Sequence, residues 1–99
     1  MCLAGATGPK SDKNGVYLPT GKLHNGKALF QLEDRKDVLL CFSPNGFWIV
    51  TDPASIEVND NSGFICSTTA GLAHPSLALG WKVGNGSGVW TEQPAVTCA

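Results

Sequence analysis

Charged side chains are scarce in this sequence, and positive charge is nowhere concentrated. Asp, Glu, Lys and Arg make up 15% of the 99 residues, and the formal net charge is −1 at pH 7. The lysines are scattered along the chain, and Arg35 is the single arginine. A protein that binds the nucleic-acid backbone needs several clustered cations, because affinity comes from released counterions. The sequence therefore argues against a nucleic-acid partner.

Long apolar runs are also lacking. A helix that spans a bilayer needs about 20 consecutive apolar residues, and no such run occurs, so we expect at most a peripheral association with a membrane complex. The first residues lack the charged and apolar regions of a signal peptide. We expect either an intracellular protein without a leader or a mature form that has lost a targeting segment. The small Cys2 after a retained Met1 favours the second, with a plastid or secreted location.

The motifs of common catalytic and cofactor sites are missing. No G-x-S-x-G elbow, H-E-x-x-H motif or phosphate-binding loop occurs. His24 and His74 are the only histidines, and their spacing does not suggest a metal site. A carboxylate pair made of Asp52 with Glu57 or Glu92 stays formally open, but so small a core leaves little room for a substrate cleft. We therefore expect neither an enzyme nor a cofactor.

The four cysteines have no C-x-x-C spacing, which excludes the usual zinc and redox motifs. Cys2 and Cys98 lie near the two termini, which are often close together in small domains. They are the candidate disulfide. Cys41 and Cys66 lie in apolar segments, and we expect them to be free, buried thiols, because a reduced cysteine packs well in a core.

Glycine and asparagine, in contrast, are plentiful and occur together. Four Asn-Gly dipeptides begin at positions 14, 25, 45 and 85. Both residues tolerate the positive φ of the tight turns that join hairpin strands. The apolar segments between these turns are predicted strands: 27–32, 37–42, 47–51, 64–68, 89–91 and 95–97. Six prolines discourage continuous helix, so only helical turns are predicted, at 53–57 and 74–79.

The predicted fold is all-β, or β with one short helical turn. It is a small antiparallel sheet built from hairpins and arranged as a sandwich or a partly open barrel. Residues 1–14 are predicted to be an extended N-terminal arm, and residues 15–99 a single small β domain. The hairpin of 37–42 and 47–51 is apolar at both alternating positions, which predicts a central place covered on both faces.

The aromatic residues are the remaining candidates for a function. Trp48 is expected in the core, where large rings supply most of the apolar area. Trp81 and Trp90 lie beside polar, glycine-rich segments, and together with Tyr17 they are the candidate partner-binding residues. Two kinds of ligand fit such residues: a protein partner, or a glycan that stacks on exposed rings.

Several short motifs also follow one another in order. Gly15-Val16-Tyr17 precedes an N-G-x-x-x-F strand at 25–30 and a G-x-W-x-V strand at 46–50. The run G-L-A-H-P-S-L-A-L-G-W at 71–81 and a final Trp90 complete the pattern. Over residues 15–97 this order resembles small β modules of unassigned function that recur in proteins of dinoflagellate-type protists. Those modules have no agreed active site, so the resemblance transfers no catalytic residue.

The resemblance implies a non-catalytic module with a structural or protein-interaction role. Because the module stands alone here, it implies a small accessory subunit of a larger protein complex. An organellar photosynthetic complex is one concrete candidate. The alternative hypothesis is a carbohydrate-binding module that uses exposed tryptophans.

Overall fold

The computed structural model describes residues 1–99, and antiparallel strands dominate it. Adjacent strands follow the order β8-β7-β6-β5-β4-β3-β2-β1-β9 in one curled sheet, a half-barrel. The predicted all-β, antiparallel fold is confirmed. The nine strands are β1 (Cys2–Ala4), β2 (Gly15–His24), β3 (Lys27–Leu32), β4 (Arg35–Phe42), β5 (Trp48–Thr51), β6 (Ile65–Ser67), β7 (Trp81–Gly84), β8 (Trp90–Glu92) and β9 (Thr97–Cys98).

The helical segments are short, and two of them lie where the sequence predicts helical turns. Helix α1 (Pro53–Val58) begins after Asp52, whose side chain accepts a hydrogen bond from Ser55 N at 2.9 Å. A 3₁₀ helix spans Pro75–Leu77, and a second one that the sequence did not predict spans Gly8–Lys13. No helix in the structure has the length and apolar character needed to cross a bilayer.

The Asn-Gly dipeptides do not all form the same turn. Asn25 and Gly26 both have positive φ, at 51° and 81°, and join β2 to β3 as the hairpin signal predicts. Asn14 instead has a φ of −67°, and its side chain forms two hydrogen bonds with the backbone of Ala6. Its Nδ2 donates to the Ala6 carbonyl at 2.9 Å, and its Oδ1 accepts from Ala6 N at 3.0 Å.

The register of the strands separates the side chains into two sets. The inner, concave face holds the main core, which includes Leu40, Val50 and Ile65 at paired positions of β4, β5 and β6. The outer face of the same strands holds a second cluster. The outer cluster consists of Leu29, Leu39, Cys41, Ile49 and Cys66, with Ile56 of α1 and Trp90 packed against it. Strands β4 and β5 are therefore covered on both faces, as predicted.

The first fourteen residues belong to the folded domain, which differs from the predicted extended arm. Strand β1 pairs with β2 on one side and with β9 on the other. Leu3 is fully buried and Ala6 is 4% exposed, both within the main core. This segment orders because its apolar side chains complete a core that residues 15–99 leave open on that side.

The two edges of the sheet are joined by a short connection. Only residues 93–96 separate β8 at one edge from β9 at the other, and so few residues span at most about 17 Å. The side-chain oxygen of Gln93 accepts a hydrogen bond from Thr7 N at 3.0 Å, which links this connection to the N-terminal segment. The two edges of the half-barrel are therefore connected by a turn and by a side-chain hydrogen bond, and β8 and β9 do not pair with each other.

Candidate functional site

Of the three predicted contact residues, two are buried. Tyr17 is fully buried, and its hydroxyl donates to the Lys13 carbonyl at 2.6 Å; this burial raises the pKa of Tyr17 far above its ordinary value. Trp81 is 1% exposed. It pairs with Ser67 in a register that turns its ring to the inner face. Neither side chain is accessible to a partner, so the prediction of Tyr17 and Trp81 as contacts was wrong.

The candidate disulfide of Cys2 and Cys98 is not formed, and both thiols are free. Cys98 is paired with Leu3 and shares its buried inner face, whereas Cys2 is the next residue along β1 and is exposed. Successive residues of a strand point to opposite faces, so the two sulfurs lie on opposite sides of the sheet. Burial raises the pKa of the Cys98 thiol to about 11.

The other two cysteines are free and buried, as the sequence predicts. Cys41 and Cys66 both pair with Ile49, from strands on its two sides. A strand therefore separates their sulfurs, and they cannot form a disulfide. Burial raises the pKa of Cys41 to about 12 and also raises that of Cys66, where nearby Lys82 partly offsets it.

The histidines and carboxylates do not converge. His74 caps the 3₁₀ helix at Pro75–Leu77, with its Nδ1 accepting from Ser76 N, and its ring packs edge-on against Phe30. His24 is the last residue of β2, and no hydrogen bond or ring contact joins it to His74. No group of three or more His, Cys, Asp or Glu side chains lies close enough together to hold a metal ion.

Trp90 is the one tryptophan that remains partly exposed. It lies opposite Gly84 in the β7–β8 pair, on the outer face of the sheet. A Cβ at position 84 would lie only 3.4 Å from the indole Cη2 and Cζ3. The absence of a side chain at Gly84 thus lets the indole lie close against the β7 backbone at the sheet edge.

Two shallow depressions border Trp90, and we call them together the Trp90 groove. One has a volume of about 290 Å³ and is lined mainly by Ser62, Gly84, Gly86 and Val89. The other has a volume of about 100 Å³ and is lined by Phe47, Lys82, Asn45 and neighbouring residues. Trp90 and Asn61 line both.

Two asparagines form the polar wall of the Trp90 groove. Asn61 Oδ1 accepts from Asn45 N at 3.0 Å, which ties the loop after α1 to the β4–β5 turn. Asn45 Oδ1 accepts from the hydroxyl of Ser43. Asn61 bonds to the protein through Oδ1 alone, so its Nδ2 amide is free to donate to a ligand. The loop itself is held by Thr51, whose hydroxyl donates to the Ser62 carbonyl at 2.7 Å.

The sequence did not identify Phe47, Asn61 or Lys82 as site residues. Asn61 lies in a turn that the sequence shows only as polar, and its partners in the groove include Asn45, 16 positions before it, and Trp90, 29 positions after it. Trp90 and Lys82 lie on the same, outer face of the sheet, and only the β7–β8 register shows this. The signal available beforehand was a tryptophan beside a glycine-rich loop; Trp90 is partly exposed, and its role as a contact residue stays a prediction.

No protein-family model matches this chain, and no curated protein and no solved structure matches it. The resemblance to modules of dinoflagellate-type protists stays a prediction.

Proposed function

We propose that this protein is a non-catalytic module that binds carbohydrate, with a sugar ring stacked on Trp90. The observation that carries the proposal is the Trp90 groove, where one partly exposed indole is combined with the unpaired amide donor of Asn61. Trp48 and Trp81 are buried, so Trp90 alone among the tryptophans is available to a ligand.

The composition of the groove suits a sugar. An aromatic ring offers a flat apolar surface, against which the C–H face of a pyranose can pack. The Nδ2 amide of Asn61 can donate to a sugar hydroxyl; this orients the ring but adds little net binding energy, since each hydrogen bond to the ligand replaces one to water. The shallow, open form of both depressions is appropriate for part of a polymer rather than for a small molecule enclosed on all sides.

The test is glycan binding by the intact chain and by two variants. Trp90→Ala should weaken binding by roughly 30-fold or more, because truncation of a central aromatic contact commonly costs about 2 kcal/mol or more. Leu79→Ala is the matched control, because Leu79 is fully exposed in a different loop. Circular dichroism should show the same fold for all three proteins. Unchanged glycan binding by Trp90→Ala would refute the proposal.

A second candidate function is protein binding as an accessory subunit, and a separate observation favours it. The segment before β7 is held by buried Pro75 and Ala78, while Leu77 and Leu79 between and after them are 55% and 100% exposed. Two exposed leucines on an anchored loop could contact a larger protein assembly, such as the organellar complex that the resemblance implies. Size fractionation of native material tests this: a chain that migrates only as a free monomer would contradict it.

A further inference from the structure

Lys82 is an unpaired cation within the Trp90 groove. Its Nζ lies 5.6 Å from the centroid of the Phe47 ring and 5.7 Å from that of the Trp90 ring. None of the three ion pairs in the structure involves Lys82. Glu92 faces it across the β7–β8 pair, but its carboxylate is not within 4 Å. The ammonium group is therefore held by aromatic faces and left without an anion.

Lys82 is also the only charged residue that lines either depression of the groove. Two other titratable groups lie beside Lys82. Glu92 is its cross-strand neighbour, exposed and without an ion pair to it, and Cys66 has a pKa raised by burial, so that thiol is neutral. Of the seven cationic side chains, only Lys13 and Arg35 form ion pairs, so Lys82 is distinguished by its place in the groove and not by the lack of an ion pair. The groove thus presents one positive charge beside a stacking surface.

Resting on the proposed carbohydrate function, we infer that the ligand is an acidic sugar, whose carboxylate or sulfate group binds Lys82 while a sugar ring stacks on Trp90. The ammonium lies 5.7 Å from the centroid of the indole, so an acidic group on a sugar ring that stacks there is within reach of Lys82. The charged hydrogen bond would form beside two aromatic rings that exclude water on those sides, which strengthens it relative to an exposed ion pair. Uronates and sulfated sugars share this chemistry.

The experiment compares three oligosaccharides of equal length: a neutral oligogalactan, a sulfated oligogalactan and an oligogalacturonate. Affinities are measured by calorimetry for the intact chain, for Lys82→Gln and for a matched control, Lys27→Gln. Lys27 also lies over an aromatic ring, with its Nζ 5.1 Å from the Phe42 centroid, but outside the groove. The comparison of sulfate with uronate distinguishes the two sources of the anion.

We expect the affinity for at least one acidic oligosaccharide to exceed that for the neutral one by about tenfold or more, as one charged hydrogen bond allows. Lys82→Gln should reduce that affinity to the level of the neutral ligand, and Lys27→Gln should leave it unchanged. Added salt should weaken only the acidic ligands.

The failures of the two proposals are distinguishable. Equal affinities for neutral and acidic ligands, or an acidic preference that survives Lys82→Gln, would overturn the role of Lys82 and leave stacking on Trp90 intact. Failure of all three ligands to bind the intact chain would overturn the carbohydrate function and, with it, this inference.

Discussion

Replacing Gly5 by alanine tests whether the N-terminal segment is part of the folded domain. Gly5 follows β1 and has a φ of +91°, a conformation that alanine adopts only with strain. A Cβ there would collide with the Ala95 carbonyl group, 2.6 Å from its carbon, and would lie 3.1 Å from the Cα of Val96. These atoms are backbone in the connection between the sheet edges, so they cannot move aside cheaply.

The magnitude follows from two contributions. The positive φ costs alanine about 1–2 kcal/mol. Forcing the chain away from the 93–96 connection adds about 1–3 kcal/mol, as overpacking does in a core. The sum, about 2–5 kcal/mol, is a large share of the roughly 5–15 kcal/mol expected for a domain of this length.

Gly8→Ala is the matched control. Gly8 lies in the same segment with a φ of +75°, but no atom lies within 4 Å of the position that a Cβ would occupy there. The control therefore carries the backbone strain without the collision. In urea denaturation, with an m-value of about 1.5 kcal/mol/M, Gly5→Ala should lower the midpoint by about 1.5–3 M and Gly8→Ala by about 1 M or less. Equal shifts for the two variants would refute the packing of residues 1–14 against the sheet edges.

Three further predictions concern the thiols and the helix cap. Native protein should react with a thiol reagent at one site, Cys2, because the other three cysteines are buried. Cys2→Ser should abolish that labelling. A second site that reacts rapidly would contradict the inner-face position of Cys98. Stability should fall at alkaline pH, since burial raises the pKa of Cys41 to about 12 and of Cys98 to about 11. The folded state favours the neutral thiols. Their contribution to the free energy of unfolding is therefore complete below the unfolded pKa of about 8.5 and is lost as pH rises through the pKa values of the folded state. A melting temperature that is constant from neutral pH to about pH 11 would oppose this. Asp52→Ala should destabilise the protein by about 1 kcal/mol, because it removes the capping hydrogen bond to Ser55 N. Asp52→Asn should retain most of the stability. Equal urea midpoints for the alanine variant and the parent would show that the cap is unimportant.

Local chemistry was enough to predict much of the fold. The Asn25-Gly26 turn formed as predicted, because two adjacent residues that tolerate positive φ favour a tight hairpin wherever apolar strands flank them. The helical segment at 53–58 followed from Asp52 and Pro53, a cap and a first-turn residue. The burial of both faces of the β4–β5 hairpin followed from its apolar residues at both alternating positions.

The N-terminal segment was not predictable in the same way. Strand β1 lies between β2 and β9, and its partner residues in β9 are more than 90 positions away. A segment of small residues is typical of a disordered arm until a distant strand supplies the hydrogen bonds and a core position for Leu3.

The sequence by itself indicated most of the turns, the strands β3 to β6 and β8, and the lack of a familiar catalytic motif, but it did not indicate β1, β2 or β7. Only the tertiary structure decided which aromatic and sulfur side chains face water. Trp81 and Trp90 have similar neighbours in sequence, and yet one is buried and the other borders a groove; Cys2 and Cys98 are close in space but lie on opposite faces. The physical reason is that a strand alternates its side chains, so a register difference of one residue exchanges inside and outside.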